Sequence, residues 1–155
     1  MMHAWIQILT GAVGTFGFAL FTHIRMKLLP AATLGGLLAW AVYLAVYYYS
    51  PSLFLSNLVA AIAVYVWSEI MARFMKAPVT IFLVPGIIPL LPGSYLYYTT
   101  LALLNKETEQ FQNYGISTIA VTMGIACGIV ITSILANYVI ETTEHLKRKR
   151  QGHSH

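Results

Sequence analysis

The chain has 155 residues, of which 58% are hydrophobic and 9% are charged, and its mean hydropathy is +0.71. A soluble domain of this size cannot bury so much apolar surface, so the composition predicts an integral membrane protein. The net charge of +4 does not indicate nucleic acid binding. The basic run Lys147–Arg150 instead borders an apolar segment, where it suits membrane orientation or contact with anionic lipid headgroups. The single cysteine, Cys127, excludes an internal disulfide framework and a cysteine-based zinc site.

Five apolar segments have lengths close to the roughly 20 residues that a membrane-spanning helix requires. In chain order they are Ala4–Thr22, Leu28–Tyr49, Leu53–Met71, Val79–Leu104 and Gly115–Ile140. We therefore predict an all-α integral membrane protein with five transmembrane helices. One transmembrane domain covers residues 1–145, and residues 146–155 form a basic tail. The first segment has no basic start and no cleavage pattern, so we interpret it as an uncleaved span.

The basic residues predict the orientation of these spans. Eight of the nine Lys and Arg residues follow the first, third or fifth span, among them Arg25, Lys27, Arg73 and Lys76. With five spans these places lie on one face of the membrane, and positive residues collect on the cytoplasmic face. The N-terminus is thus predicted outside and the C-terminus in the cytoplasm.

Small residues recur at helical spacing in the first and fifth spans. The first contains Gly11, Gly14 and Gly17, and the fifth contains Gly124 and Gly128. Small side chains let membrane helices approach closely, so both stripes are predicted helix-packing faces. A substrate path lined by the same faces is the alternative.

Two acidic residues near the predicted cytoplasmic ends of their spans are candidates for proton coupling. Glu69 lies four residues before Arg73, which favours an ion pair within one helix. Ionisable residues within membrane segments are also functional candidates by default, so a protonatable role for Glu69 is the alternative. Glu141 is the second candidate.

The fourth span carries the most unusual pattern, LVPGIIPLLPGSYLYY, which is the segment Leu83–Tyr98. Pro85, Pro89 and Pro92 lack the N–H of a continuous helix, and each disfavours helical geometry in the preceding residue, here Val84, Ile88 and Leu91. With Gly86 and Gly93 beside them, the three prolines predict an interrupted helix. The unpaired backbone groups of such a break must face protein or a water-filled cavity.

A second half-helix starting near Pro92 gives the break a chemical use. Its first amides, at Gly93, Ser94 and Tyr95, form the positive end of a helix dipole and are suited to bind an anionic group. Ser94, Tyr95, Tyr98 and Thr99 add hydroxyl groups. The alternative is a kinked structural helix whose tyrosines form an aromatic belt at the membrane surface.

The sequence VPGIIPLLPGSYLYY resembles the signature of the second domain of the threonine/serine exporter (ThrE-type) family, where a Pro-Gly, a Pro and a Pro-Gly occur in this order. The short chain is similar to the small-subunit form of that family, including that of bacterial two-component succinate exporters. By motif match the resemblance marks Pro85, Gly86, Pro89, Pro92 and Gly93.

The resemblance implies a larger partner subunit of the same family, itself embedded in the membrane. It also implies export of small carboxylate-bearing metabolites such as threonine, serine or succinate, driven by the proton motive force. The expected location is the cytoplasmic (inner) membrane of a bacterium. Neither a cofactor nor a metal is implied.

Two functions remain open at this point. The first is an exporter subunit whose broken span contributes to the translocation site. The second is a non-transporting scaffold that stabilises or assembles its partner, and the small-residue stripes fit either a hetero-complex or a homo-oligomer. An enzyme is not predicted, because the chain has no Gly-x-Ser-x-Gly elbow, no His-Glu-x-x-His pair and no Asp.

Overall fold

The computed structural model describes the backbone of residues 2–152 and the side chains of residues 5–138. Over that range the chain forms six α-helices and one 3₁₀ turn. The helices are α1 (Met2–Phe21), α2 (Leu29–Tyr49), α3 (Leu53–Met75), α4 (Thr80–Ile87), α5 (Gly93–Leu104) and α6 (Thr108–Gly152), with the 3₁₀ turn at Ile88–Leu90. The all-α prediction is confirmed for the described residues.

Helix length and composition identify the membrane segments. Three helices are long and apolar enough to cross a membrane: α2, α3 and the part of α6 over Thr108–Tyr138. The bent pair formed by α4 and α5 makes a possible fourth crossing, whereas the apolar part of α1, Trp5–Phe21, is shorter. The chain is therefore a multi-pass membrane protein, and the count of five spans stays a prediction.

Most of the apolar surface of these helices faces outward. In the apolar 18-residue stretch of α2 and in that of α3, only 33% is buried within the chain. In the corresponding stretch of α6 the buried share is 28%. Exposed apolar surface of this extent is typical of contact with a membrane or with another chain.

The basic loops meet at one end of the bundle. Ala19, Leu29, Ala72 and Phe82 belong to a buried cluster that joins the end of α1, the start of α2, the end of α3 and the start of α4. The α1–α2 and α3–α4 connections, which carry Arg25, Lys27 and Lys76, flank this cluster. We call this the basic end. Which side of the membrane it faces remains a prediction.

Two helix contacts form the centre of the bundle. Helix α3 packs along α6 and also along α2. At the contact with α6, a Cβ added to Gly124 would lie 2.5 Å from the carbonyl oxygen of Phe54, and one added to Gly128 would lie 2.7 Å from that of Leu58. These two glycines therefore allow a close approach that no larger residue fits without movement.

Helix α1 packs on α2 through a face that includes Gly11 but neither Gly14 nor Gly17. An added Cβ at Gly14 or Gly17 would meet no heavy atom within 4 Å. Thr15 and Ala19 are instead fully buried, and a Cβ on Gly36 of α2 would collide with the Thr15 side chain. Gly14 and Gly17 therefore make no close helix contact within the described residues, and their role as a packing face stays a prediction. Gly11 does face a neighbour, with an added Cβ 3.6 Å from the side chains of Trp40 and Pro89.

The predicted interruption of the fourth segment is confirmed. After the 3₁₀ turn Leu91 is extended, with φ −60° and ψ 136°, and the helical pieces on either side are bent by 50°. Before the break α4 packs on α2 and α3, whereas after it α5 packs on α6. The break therefore directs the chain from one side of the bundle to the other.

The individual prolines do not all act as predicted. Val84 and Ile88 keep helical geometry, and Pro85 lies inside α4. Only Leu91, before Pro92, leaves the helical region. Pro85 and Gly86 are buried, and an added Cβ at Gly86 would lie 2.8 Å from Val64. Tight packing against α3 thus holds this turn helical despite the missing N–H of Pro85.

Candidate functional site

A small cavity lies beside the break. It has a volume of about 70 Å³, and its walls come from α2, α3, the break, α5 and α6. Its polar lining residues are Trp40, Tyr43, Asn57, Ser94 and Tyr95. We call it the break cavity. A cavity of this size has room for a few water molecules or for one small polar group.

The break cavity lies near the middle of the membrane segments. Trp40 is eleven residues from Leu29, the first residue of α2 at the basic end. At a rise of 1.5 Å per residue this corresponds to about 16 Å. The hydrocarbon core of a bilayer is about 30 Å thick, so the cavity is close to half depth.

Two sets of N–H groups belong to residues beside the cavity: the Trp40 indole and the first amides of α5. The indole N–H of Trp40 is buried and has no hydrogen-bond partner among the described residues. At the start of α5, the amide of Gly93 donates to the carbonyl of Leu91 at 2.8 Å, and that of Leu96 donates to Pro92 at 2.9 Å. The amides of Ser94 and Tyr95 lie between them in the first helical turn, where no preceding helical carbonyl receives them. Trp40, Ser94 and Tyr95 all line the cavity, and each thus carries an N–H group without a protein acceptor in the part of the chain that the structure describes.

The walls also contain one buried amide side chain. Asn57 is 2% exposed, and its Nδ2 donates to the carbonyl of Leu53 at 2.7 Å. This bond fixes the side chain against its own helix. Asn57, on α3, therefore contributes a carboxamide group of fixed orientation to the wall of the cavity.

Four of the predicted residues converge on this cavity: Pro89, Pro92, Ser94 and Tyr95. Pro85 instead lines a second cavity of about 270 Å³ between α1 and α4, toward the basic end. Gly86 packs between α2 and α3, and Gly93 is exposed. The motif that marks the break therefore serves two purposes, since its first half packs the bundle and its second half builds the cavity.

Tyr98 and Thr99 lie toward α6. The rings of Tyr98 and Tyr114 are stacked at 5.3 Å. Thr99 donates its hydroxyl to the carbonyl of Tyr95 at 2.7 Å and lies 3.5 Å from the hydroxyl of Thr118. Both residues thus join α5 to α6, and neither lines the break cavity.

Three polar lining residues were not among the predicted site residues: Trp40, Tyr43 and Asn57. Trp40 and Tyr43 stack with centroids 5.0 Å apart, and Tyr47 continues the stack at 5.8 Å. Asn57 carried a usable signal, because a carboxamide in an otherwise apolar segment requires a partner when it is buried. Trp40 carried none, since a tryptophan in a membrane helix does not indicate which neighbour it faces.

The two coupling candidates are separate from the cavity. The predicted ion pair is present, with Arg73 Nε 3.4 Å from Glu69 Oε2. Glu69 lies twelve residues beyond Asn57 along α3, or about 18 Å. The side chain of Glu141 lies outside the described residues. A coupling role for either residue stays a prediction.

Comparison with known proteins gives one match. The family model described as threonine/serine exporter, ThrE, matches residues 7–135. The matched range contains the break and every residue that lines the cavity beside it. No curated protein and no solved structure matches the chain.

Proposed function

The chain belongs to the threonine/serine exporter family, and from this premise we propose that it is a membrane subunit of a secondary exporter of small carboxylate-bearing metabolites. The family supports membrane export as the function. The finer parts of the proposal are a threonine-, serine- or succinate-like substrate, coupling to the proton motive force, and a larger partner subunit of the same family.

The buried Trp40 N–H without a partner carries the proposal. A buried polar group without a hydrogen bond destabilises a protein by about 1–3 kcal/mol, and an acceptor that enters the cavity removes this penalty. A carboxylate is a suitable acceptor, because Ser94 and Tyr95 line the same cavity from the first turn of α5, which is the positive end of the helix dipole. No Lys or Arg lines the cavity, so recognition relies on neutral donors.

The size of the cavity supports a requirement for a partner or for an opening motion. Sites for whole small molecules usually have volumes of about 300–1,000 Å³. The break cavity, at about 70 Å³, admits a carboxylate group and little more. The remainder of the substrate then lies beyond the mouth of the cavity, where Gly93 and Ser94 are exposed. The partner subunit would complete the site over this surface.

The experiment is efflux of labelled threonine, serine and succinate from cells without their own exporters. The cells express this chain with and without the large subunit, as wild type, as Trp40→Phe or as Trp5→Phe. Phenylalanine keeps a ring but removes the N–H, and a hydrogen bond to a charged group contributes about 1.5–3 kcal/mol. We expect Trp40→Phe to lower efflux at subsaturating substrate about tenfold or more. Trp5 is 69% exposed near the start of α1, so Trp5→Phe is the matched control.

Two results would contradict the proposal. The first is a large subunit that exports equally well without this chain. The second is full efflux by Trp40→Phe in an intact complex. Purification of each complex by affinity tag separates loss of transport from loss of assembly.

One observation favours a second function, that of a non-transporting scaffold that stabilises or assembles the partner. Gly14 and Gly17 form an open small-residue face on α1, with no heavy atom within 4 Å of an added Cβ. Such a face suits close packing of a helix from another chain. In that case Gly17→Leu would disrupt the complex, whereas Trp40→Phe would have no effect.

A further inference from the structure

A long groove on the outer surface of the bundle has no part in the proposed export site. It runs between α3 and α6, has a volume of about 540 Å³, and is lined mainly by apolar side chains. Ile62 lies at one end on α3, with Ile131 and Leu135 on α6. Glu69 and Arg73 lie at the other end. We call it the α3–α6 groove.

The groove covers one leaflet of the bilayer. Ile62 and Arg73 are eleven residues apart on α3, which corresponds to a length of about 16 Å. Half of the hydrocarbon core is about 15 Å. Since Arg73 lies in the last turn of α3 at the basic end, the groove extends from the membrane surface to the midplane. An occupant of matching length also ends at the midplane.

The length of the groove favours an acyl chain as its occupant. The groove has a volume of about 540 Å³ over a length of about 16 Å. A transmembrane helix must cross both leaflets, whereas a lipid acyl chain ends at the midplane and so matches the length of the groove.

The charged end of the groove defines the headgroup. The Arg73 side chain is 61% exposed, and its contact with Glu69 is made through Nε. A guanidinium has five N–H donors in a planar array that suits phosphate oxygens. On α3, within the described residues, Arg73 and Lys76 carry two positive charges at this end and Glu69 carries one negative charge. A phosphate on an anionic lipid is the complementary group.

We propose that the α3–α6 groove binds an acyl chain of an anionic phospholipid, with the lipid phosphate on the guanidinium of Arg73. The proposal does not depend on the export function. It predicts a specific site in the leaflet at the basic end, in addition to the general layer of lipid around the protein.

The test uses the purified full-length chain in vesicles of phosphatidylcholine that contain spin-labelled phosphatidylglycerol or spin-labelled phosphatidylcholine. The measured quantity is the association constant of the anionic lipid relative to the neutral lipid. A basic residue near an anionic surface contributes a factor of about five, so we expect Arg73→Gln to lower this ratio about fivefold. Arg25→Gln, which removes a charge from the other loop at the same end, is the matched control and should leave most of the preference. Glu69→Gln should raise the ratio, because it frees the guanidinium.

A second pair of variants tests the shape of the groove without changing charge. Ile131→Trp fills the groove, and Ile119→Trp places the same residue on an exposed position of α6 outside it. We expect only Ile131→Trp to reduce the number of immobilised anionic lipids. Equal effects of Arg73→Gln and Arg25→Gln, or no difference between the two tryptophan variants, would overturn the proposal. A photo-crosslinker at Leu135 that captures a protein chain in place of lipid would also overturn it.

Discussion

The close contact between α3 and α6 leads to a quantitative prediction about Gly124 and Gly128. An alanine Cβ at Gly124 would lie 2.5 Å from the Phe54 carbonyl oxygen, and an ordinary contact needs about 3.4 Å, so the helices must separate by about 0.9 Å. At Gly128 an added Cβ would lie 2.7 Å from the Leu58 carbonyl oxygen, so by the same reasoning the helices must separate by about 0.7 Å. Because each obstacle is backbone, no side-chain rotation relieves it.

The expected magnitude follows from two opposing effects. Overpacking destabilises proteins by about 1–3 kcal/mol. Replacing glycine by alanine within a helix stabilises it by about 1 kcal/mol. For Gly124→Ala we expect the free energy of unfolding to fall by about 2 kcal/mol. This value combines the largest usual effect of overpacking with the gain from alanine, because the backbone obstacle is rigid. Gly17→Ala, where the added Cβ meets nothing within 4 Å, should be neutral or stabilising by up to about 1 kcal/mol.

The double variant makes the prediction specific to this geometry. One separation of about 0.9 Å relieves both contacts, so Gly124→Ala and Gly128→Ala together should destabilise the protein by less than the sum of the single effects. The measurement is the free energy of unfolding in mixed micelles with increasing dodecyl sulfate, followed by helical circular dichroism. The packing argument is refuted if Gly124→Ala unfolds at the same detergent fraction as Gly17→Ala, or if the two effects add fully.

Three further predictions concern single bonds and helix ends, and the same unfolding assay measures each. Trp67→Phe removes the bond from the indole N–H to the Ala31 carbonyl at 3.0 Å and should destabilise the protein by about 1 kcal/mol; no change would mean that α2 and α3 do not need this link. Lys106 has φ 59°, so Lys106→Gly should stabilise by about 0.5–1 kcal/mol, whereas Asn105→Gly, at φ −79°, should destabilise by a similar amount. Equal shifts for both would contradict the left-handed geometry. Glu69→Gln should change stability by less than about 1 kcal/mol, because Arg73, the partner in its ion pair, is 61% exposed, although Glu69 itself is 18% exposed; a larger loss would indicate a buried structural role.

The break illustrates the limit of local reasoning. Each of the three prolines lacks an N–H, and this property is the same for all of them. Only the turn at Leu91 and Pro92 opens, because α4 is held against α2 and α3 at Pro85 and Gly86. Packing of this kind depends on residues far away in the chain, such as Val64, and no local pattern reports it.

The small-residue stripes show the same division. Gly124 and Gly128, which recur at helical spacing, lie where α6 approaches α3 closely. The same signal on α1 pointed to Gly14 and Gly17, although the helix packs through Thr15 and Ala19. Spacing limits which residues share a face, but the neighbouring helix decides which face is buried.

The sequence by itself determined the membrane character, the helical class, the broken fourth segment and the family, because each follows from composition or from a short local motif. The tertiary structure decided which residues meet at the break. Trp40, Asn57 and Ser94 come from three different helices and share one cavity only because α5 leaves α4 at an angle of 50°. Such a site depends on the relative placement of helices, which arises from side-chain packing across the whole bundle rather than from any segment alone.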